Sequence, residues 1–172
     1  MFRYFYMYRK LVALNRRLTH SSERLKKLFL NLKDLCPECI EKTTVVGYIV
    51  NAGILAKIFN KNELLLHELT SEIAILEEKT VFPYIPDWHI YRLNEIKSMI
   101  LENNKFIFVT VNQEQELAGL LIGQILNNTA TLNSIGSARI YDHSKYKNKP
   151  IAKDLMNIFF KHLFSQGIKK VR

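Results

Sequence analysis

A cluster of lysines surrounds one predicted helix start in the last third of the sequence. The cluster comprises Lys145, Lys147, Lys149 and Lys153, around a helix predicted from residue 150 to about residue 165. The first N–H groups of a helix have no intrahelical acceptor and carry partial positive charge, so they can bind a phosphate group. Amides of the preceding loop and the lysine charges would add to that attraction. The segment predicts an anion site; the alternative is a lysine-rich surface turn before a core helix.

The second group of reactive side chains is a lone CxxC formed by Cys36 and Cys39. A structural zinc site needs four ligands, and no second CxxC or paired histidine follows at the required spacing, so no metal site is predicted. A redox CxxC would follow a strand, whereas a predicted helix precedes this one. Two inert thiols at a helix end are the favoured interpretation. Two cysteines in all indicate reduced thiols and a cytoplasmic location.

The elements that would position these groups alternate in type along residues 54–172. The pattern predicts a strand at 54–59, a helix from Glu63 to about 79, a proline- and aromatic-rich loop at 81–89, a helix at 90–102, strands at 106–111 and 117–126 separated by a polar turn, a further strand from 130 to about 142, the helix at 150–165 with Gly167 as its C-cap, and the start of a strand at 168–171. Strands and helices in this order indicate an α+β fold.

Leucines recur at alternating three- and four-residue steps near the N-terminus, at positions 11, 14, 18, 25, 28, 32 and 35. This spacing predicts an amphipathic helix that packs on its own domain or on a partner. A helix lying on a membrane surface is the alternative. We therefore divide the chain into a basic helical extension at 1–52 and a domain at 53–172.

Composition bounds the class of protein. The 172 residues are 48% hydrophobic and 24% charged, as in a globular chain of one domain with a short appendage. No segment approaches the roughly 20 consecutive apolar residues of a membrane helix, and the aromatic N-terminus lacks the apolar core of a signal peptide.

The net charge of +9 is unevenly distributed. Residues 1–50 carry ten Lys and Arg against four Asp and Glu, residues 51–138 carry six against ten, and residues 139–172 carry nine against two. Basic ends around an acidic middle indicate anionic partners such as phosphates, nucleic acid or a membrane surface. No nucleic-acid motif accompanies the charge, so a basic targeting module at residues 1–50 remains a hypothesis supported by charge alone.

Residues 140–156, with the sequence IYDHSKYKNKPIAKDLM, resemble the acetyl-CoA motif of the GNAT superfamily of N-acetyltransferases. In that motif a strand leads into a loop of the form Arg/Gln-x-x-Gly-x-Gly/Ala and then a helix. Lys147 stands at the Arg/Gln position, Pro150 at the first glycine and Ala152 at the second. The element order over residues 54–172 also resembles the first two-thirds of the family. The resemblance implies a mixed, mainly antiparallel sheet flanked by helices, incomplete at the C-terminus and preceded by the helical extension.

The resemblance further implies acetyl-CoA as a co-substrate and transfer of its acetyl group to a primary amine of a small molecule or peptide. The pantetheine arm would lie along the edge of the strand near its end, and the diphosphate at the helix start. The implied cofactor-binding residues are Ile140, Tyr141, Asp142, Lys147, Asn148, Lys149, Ile151, Ala152 and Lys153.

Acetyl transfer to an amine needs a base, often acting through water. Asp142 and His143 lie at the strand end nearest the implied thioester and are the positional candidates for catalysis, with an ordinary surface role as the alternative. Asp87, Trp88 and His89 lie in the loop between the first two helices of the domain, which the resemblance assigns to the acceptor pocket. For Trp88 the alternative is a place in the core, and for His89 a helix cap.

Two features depart from the family pattern. Pro150 replaces a glycine whose N–H would help to hold the phosphate, and proline has no N–H, although it is well tolerated in the first turn of a helix. The sequence stops at Arg172, where the fifth strand of the family begins. We therefore expect a truncated chain, a degraded gene product, or a domain whose sheet is completed by a second copy, by a partner chain or by its own N-terminal extension. A degenerate, non-catalytic binding or interaction protein is the alternative function.

Overall fold

The computed structural model describes residues 23–35, 40–42, 48–51, 63–101, 105–140 and 142–172. In chain order, these residues form α1 (Glu23–Leu35), β1 (Ile40–Lys42), β2 (Tyr48–Asn51), α2 (Glu63–Thr80), α3 (Trp88–Leu101), β3 (Lys105–Val111), β4 (Leu117–Leu126), β5 (Thr129–Ser137), a 3-10 turn (Ala138–Ile140), α4 (Ile151–Ser165) and β6 (Lys170–Val171).

The six strands form one sheet in the order β1-β2-β3-β4-β5-β6. Neighbouring strands are antiparallel except β5 and β6, which are parallel. The β4–β5 register shifts by one residue between Ile122 and Gly123, which leaves Asn133 outside the pairing as a bulge. The expected α+β class, with a mixed, mainly antiparallel sheet flanked by helices, is confirmed.

Helices cover both faces of the sheet. Side chains alternate between the two faces along β4 and β5, so each face offers residues for a helix to pack on. A Cβ atom added to Gly119 in β4 would lie 2.5 Å from Ile151 Cγ2, so α4 packs closely on that face. On the opposite face, a Cβ atom added to Gly136 would clash with Thr80, which ends α2. The core therefore lies in two layers, and buried apolar residues of β3 and β4 contribute to both.

The first α-helix packs against the domain that follows it. Leu25 and Phe29 of α1 are buried in the same core as the sheet residues, and Arg24 forms an ion pair with Glu68 of α2 at 3.6 Å. The division of the chain after residue 52 stays a prediction, but β1 and β2 lie before that boundary and pair into the sheet. Residues 40–42 and 48–51 are therefore strands and not part of a helical extension.

Some expectations fall outside the described residues. They concern the leucines before residue 23, Cys36 and Cys39, the strand predicted at 54–59, and Tyr141. The helix and hairpin predictions after residue 62 are confirmed to within a few residues, except that the strand expected to reach about residue 142 ends at Ser137. The C-cap residue of α4 is Gln166, one residue before the predicted Gly167. Gly167 follows it with φ of +71°, and the N–H of Ile168 donates to the carbonyl of Leu163 at 3.0 Å, which closes the helix end.

Candidate functional site

The loop between β5 and α4 is built from successive turns held by Asp142. The Asp142 N–H donates to the carbonyl of Ala138 at 2.9 Å, and its own carbonyl accepts from the Tyr146 N–H at 3.2 Å. Its Oδ1 atom accepts from the Lys145 N–H and the Ser144 hydroxyl, each at 3.1 Å. An aspartate that accepts from nearby backbone and hydroxyl groups stabilises a turn. Asp142 thus organises this loop.

The start of α4 presents unpaired backbone donors beside basic side chains. Pro150 is the N-cap residue and makes no side-chain cap, while its carbonyl accepts from the Asp154 N–H at 2.9 Å. The N–H groups of residues 151–153 precede the first intrahelical bond and carry the positive end of the helix dipole. Around them, Lys147, Asn148, Ala152 and Lys153 are exposed, and Lys149 is half-buried. The structure therefore gathers the predicted diphosphate residues at one helix terminus.

The side chain of Ile151 is not available to the exposed helix start, which leaves only its backbone there. Its side chain is 1% exposed and points into the core beneath Gly119. Because any larger residue at position 119 would push against Ile151, the glycine allows α4 to begin directly on the sheet. The close approach fixes where the first turn of α4, and with it the donor groups, lies.

Lys145 differs from the other lysines of the loop. Its Nζ atom lies 2.6 Å from Glu116 Oε2 and 3.8 Å from Glu114 Oε2, in the turn between β3 and β4. Burial alone would lower the pKa of Lys145, but the hydrogen bond and charge of Glu116 outweigh it and the pKa is raised. Lys145 is therefore neutralised by acidic partners, and the cationic field at the helix start comes from Lys147, Lys149 and Lys153.

The edge of β5 lies elsewhere than the sequence predicted. We expected a strand through residues 140–142, but β5 ends at Ser137 and continues as the 3-10 turn Ala138–Ile140, with Ile140 66% exposed. The parallel partner β6 reaches only the start of β5, where the Leu132 N–H donates to the carbonyl of Arg172 at 3.1 Å. Among the described residues, no strand pairs with 133–137 on the side away from β4, so this backbone is the open edge.

The residues predicted for the acceptor pocket join α3 to α2. Trp88 donates from Nε1 to Glu77 Oε2 at 3.0 Å, and the His89 N–H donates to Glu78 Oε2 at 2.8 Å, with His89 Nδ1 on the same oxygen. Asp87 has φ of +59°, and its carbonyl accepts from the Ile90 N–H at 3.0 Å. Trp88 is half-buried, with its indole on the buried Glu77. The residue that accepts a backbone N–H at the start of α3 is Glu78, so the cap expected of His89 is supplied by Glu78. These contacts do not bring the side chain of Trp88 or of His89 to the loop at 142–150.

A buried cluster around Glu77 was missed by the sequence reasoning. Glu77 is fully buried, and besides Trp88 its carboxylate accepts from Arg92 Nε at 2.8 Å and from the Ser134 hydroxyl at 2.7 Å. Burial alone would raise the pKa of Glu77, but the hydrogen bonds from Arg92, Ser134 and Trp88 outweigh it and the pKa is lowered. Its place four residues after buried Ile73 was the available signal, because that spacing puts both on one helix face.

The described part of the chain holds neither a metal-binding cluster nor a helix suited to a bilayer. Within it, no group of three or more His, Cys, Asp or Glu residues is arranged to hold a metal ion. Of the helices described, none combines the length and the apolar character needed to cross a bilayer.

Comparison with solved structures identifies the architecture. An aminoglycoside acetyltransferase from an uncultured soil metagenomic sample, solved with sisomicin, is 16% identical, with coverage of 80% of this chain and 78% of that one and a TM-score of 0.50. Likeness at this identity shows a shared fold. The mixed α+β fold that the resemblance implied is therefore shared with a solved acetyltransferase.

Two further similar structures are an acetyltransferase of the GNAT family from Staphylococcus aureus Mu50 and the PaiA N-acetyltransferase of Thermoplasma acidophilum in complex with coenzyme A. The first is 20% identical and covers 61% of this chain and 64% of that one at a TM-score of 0.47. The second is 18% identical and covers 60% and 68% at a TM-score of 0.44. No family model matches the sequence, and neither does any curated protein.

Proposed function

We propose that the chain is an acetyl-CoA-dependent N-acetyltransferase acting on a primary amine of a small molecule or peptide. The observation that carries the proposal is that the start of α4 lies beside the end of the open β5 edge: Ile151 packs on Gly119, which pairs with Ser137. An unpaired strand edge can bind an extended amide-containing arm, and a helix N-terminus can bind a diphosphate. Acetyl-CoA carries both groups in one molecule, and several solved proteins of this fold are described in complex with coenzyme A or a CoA conjugate.

The residues present fit this ligand. Backbone N–H groups of residues 151–153 and the ammonium groups of Lys147, Lys149 and Lys153 would hold the diphosphate. The backbone of 133–137, rather than that of 140–142, would align the pantetheine arm. Acetyl-CoA would supply the acetyl group as a thioester, and holding the acceptor amine beside it would accelerate transfer mainly by positioning.

Proton removal from the amine is proposed for the loop that follows β5. Asp142 and His143 both lie there, and the Oδ1 atom of Asp142 already accepts two hydrogen bonds within the loop. His143 is exposed and belongs to the residue type that most often accepts a proton at neutral pH. We therefore assign the base to His143 and the ordering of the loop to Asp142.

For the acceptor of the acetyl group, we propose only the chemical class, a cationic primary amine. The solved acetyltransferase with sisomicin binds an aminoglycoside, and the acidic balance of residues 51–138 suits a cationic amine. The predicted acceptor set of Asp87, Trp88 and His89 lies at the start of α3, where Trp88 and His89 bond to α2.

Isothermal titration of acetyl-CoA into the purified chain tests the proposal, beside Lys147→Glu and the matched control Lys169→Glu. Lys169 is an exposed lysine past the C-terminal end of α4, about 20 Å along that helix from the proposed site. Micromolar binding that Lys147→Glu loses and Lys169→Glu keeps would support the site, and release of CoA thiol with a panel of primary amines would then establish turnover. Binding without turnover would favour the non-catalytic alternative, and no binding by a folded chain would contradict the proposed function.

A further inference from the structure

The side chain of Tyr146 is the anchor of the loop that leads into α4. It is 3% exposed, while the neighbouring Lys145, Lys147 and Asn148 are exposed. A tyrosine buried at this point fastens a polar loop to the body of the domain through one large apolar ring and one hydroxyl group.

The hydroxyl of Tyr146 is hydrogen-bonded to a buried asparagine. Asn112 Nδ2 donates to Tyr146 Oη at 2.8 Å, and Asn112 is itself 1% exposed. Asn112 is fixed by the turn between β3 and β4, because its Oδ1 accepts from the Glu116 N–H at 2.8 Å and its N–H donates to the Glu116 carbonyl at 2.9 Å. The loop is therefore docked on the sheet 34 residues away in sequence.

The ring of Tyr146 also contacts two lysine ammonium groups. The ammonium groups of Lys145 and Lys149 lie 5.8 and 5.6 Å from its centroid, within cation–π range. Lys145 is held there by Glu116, whereas Lys149 directly precedes Pro150, the helix position that has no N–H to offer. The ring of Tyr146 thus holds the ammonium group of Lys149 next to Pro150, where a backbone N–H is missing.

We infer that Tyr146 is a positioning residue for the diphosphate: held by Asn112, it orients the loop and Lys149 toward the anion-binding start of α4. The inference rests on the proposed function and deepens it. It implies that the Tyr146 hydroxyl affects ligands that carry a diphosphate and leaves binding of the pantetheine arm unchanged.

The test is Tyr146→Phe, which removes only the hydroxyl and leaves Asn112 Nδ2 near Glu116 Oε2 at 3.4 Å. Tyr91→Phe, at a side chain 76% exposed, is the matched control. Titrations use acetyl-CoA, inorganic diphosphate and S-acetylpantetheine, the last followed by NMR so that millimolar affinities are measured. We expect the Kd for acetyl-CoA to rise about tenfold and that for diphosphate to rise likewise, with S-acetylpantetheine unchanged and the control equal to wild type.

Each other result has one meaning. Equal acetyl-CoA affinity in wild type and Tyr146→Phe would overturn the inference and leave the proposed function standing. Equal losses for acetyl-CoA and S-acetylpantetheine would overturn it by showing a general structural role. A wild-type chain that binds none of the three would overturn the proposed function itself. If Tyr146→Phe does not fold, Asn112→Ala, which removes the partner of the Tyr146 hydroxyl, must show the same selective loss, and an unselective or absent loss there would overturn the inference.

Discussion

The hydroxyl of Ser134 in β5 donates a 2.7 Å hydrogen bond to Glu77 Oε1 in α2. This bond ties the end of one helix to the strand whose open edge begins one residue earlier, beside the bulge at Asn133. Arg92 and Trp88 of α3 complete the coordination of the same carboxylate, so one buried group joins two helices and the strand. A fully buried carboxylate is tolerated here because each of its oxygen atoms is hydrogen-bonded and the charge of Arg92 balances it.

The Glu77 cluster predicts a large stability effect. Glu77→Gln leaves the buried guanidinium of Arg92 without its buried charge partner and with only the exposed Glu95, and we expect the free energy of unfolding to fall by about 3 kcal/mol in urea titrations. Glu95→Gln is the matched control, since Glu95 pairs with the same arginine but its side chain is 53% exposed. That change should cost at most about 1 kcal/mol. Similar losses in the two variants would contradict the role assigned to Glu77.

The buried Lys79 should make the stability of the fold depend on pH in the alkaline range. Burial lowers the pKa of Lys79 from 10.5 to about 8, with the negative charge of Glu78 partly offsetting the effect. Between about pH 8 and pH 10.5 the unfolded chain therefore binds more protons at this site than the folded chain, and stability should increase with pH across that window. The gain amounts to at most about 3 kcal/mol.

Urea unfolding at pH 7.5 and pH 10 measures this gain against Lys79→Met, which removes the titrating group. The difference between wild type and Lys79→Met should shift in favour of wild type as the pH rises, while Lys27→Met, at an exposed position of α1, should track wild type. A pH-independent difference between wild type and Lys79→Met would exclude the lowered pKa.

The loop after β5 predicts separate effects for its two candidate catalytic residues. His143→Gln should lower kcat at least tenfold, with the Kd for acetyl-CoA unchanged, because it removes a proton acceptor and leaves the loop hydrogen bonds of Asp142 in place. Asp142→Ala should raise that Kd several-fold, because it removes the acceptor of two loop hydrogen bonds. Steady-state kinetics and calorimetry on both variants separate the roles. The reverse pattern would assign the base to Asp142 instead.

The candidate site was predictable from the sequence where its parts are adjacent in the chain. Lys147, Asn148, Lys149 and Lys153 lie within seven residues that span a loop and a helix start, and helix signals depend on neighbours three and four residues apart. The same local patterns predicted α2, α3 and the β3–β4 hairpin within a few residues. The place where β5 ends was not predictable in this way. Residues 138–142 are compatible with a strand by type, but the Asp142 N–H returns to the Ala138 carbonyl.

By itself, the sequence determined the α+β element order, the basic helix start and the Pro150 substitution, because each depends on residue type and short spacing. Only the tertiary structure decided which polar groups are buried together. Glu77 and Ser134 are 57 residues apart, and Asn112 and Tyr146 are 34 apart. Such pairs form when helices and loops pack on the assembled sheet, and the burial that makes their hydrogen bonds strong exists only after that packing. The open edge of β5 is likewise a property of the assembled sheet, since pairing with β4 and β6 defines which backbone groups are left free.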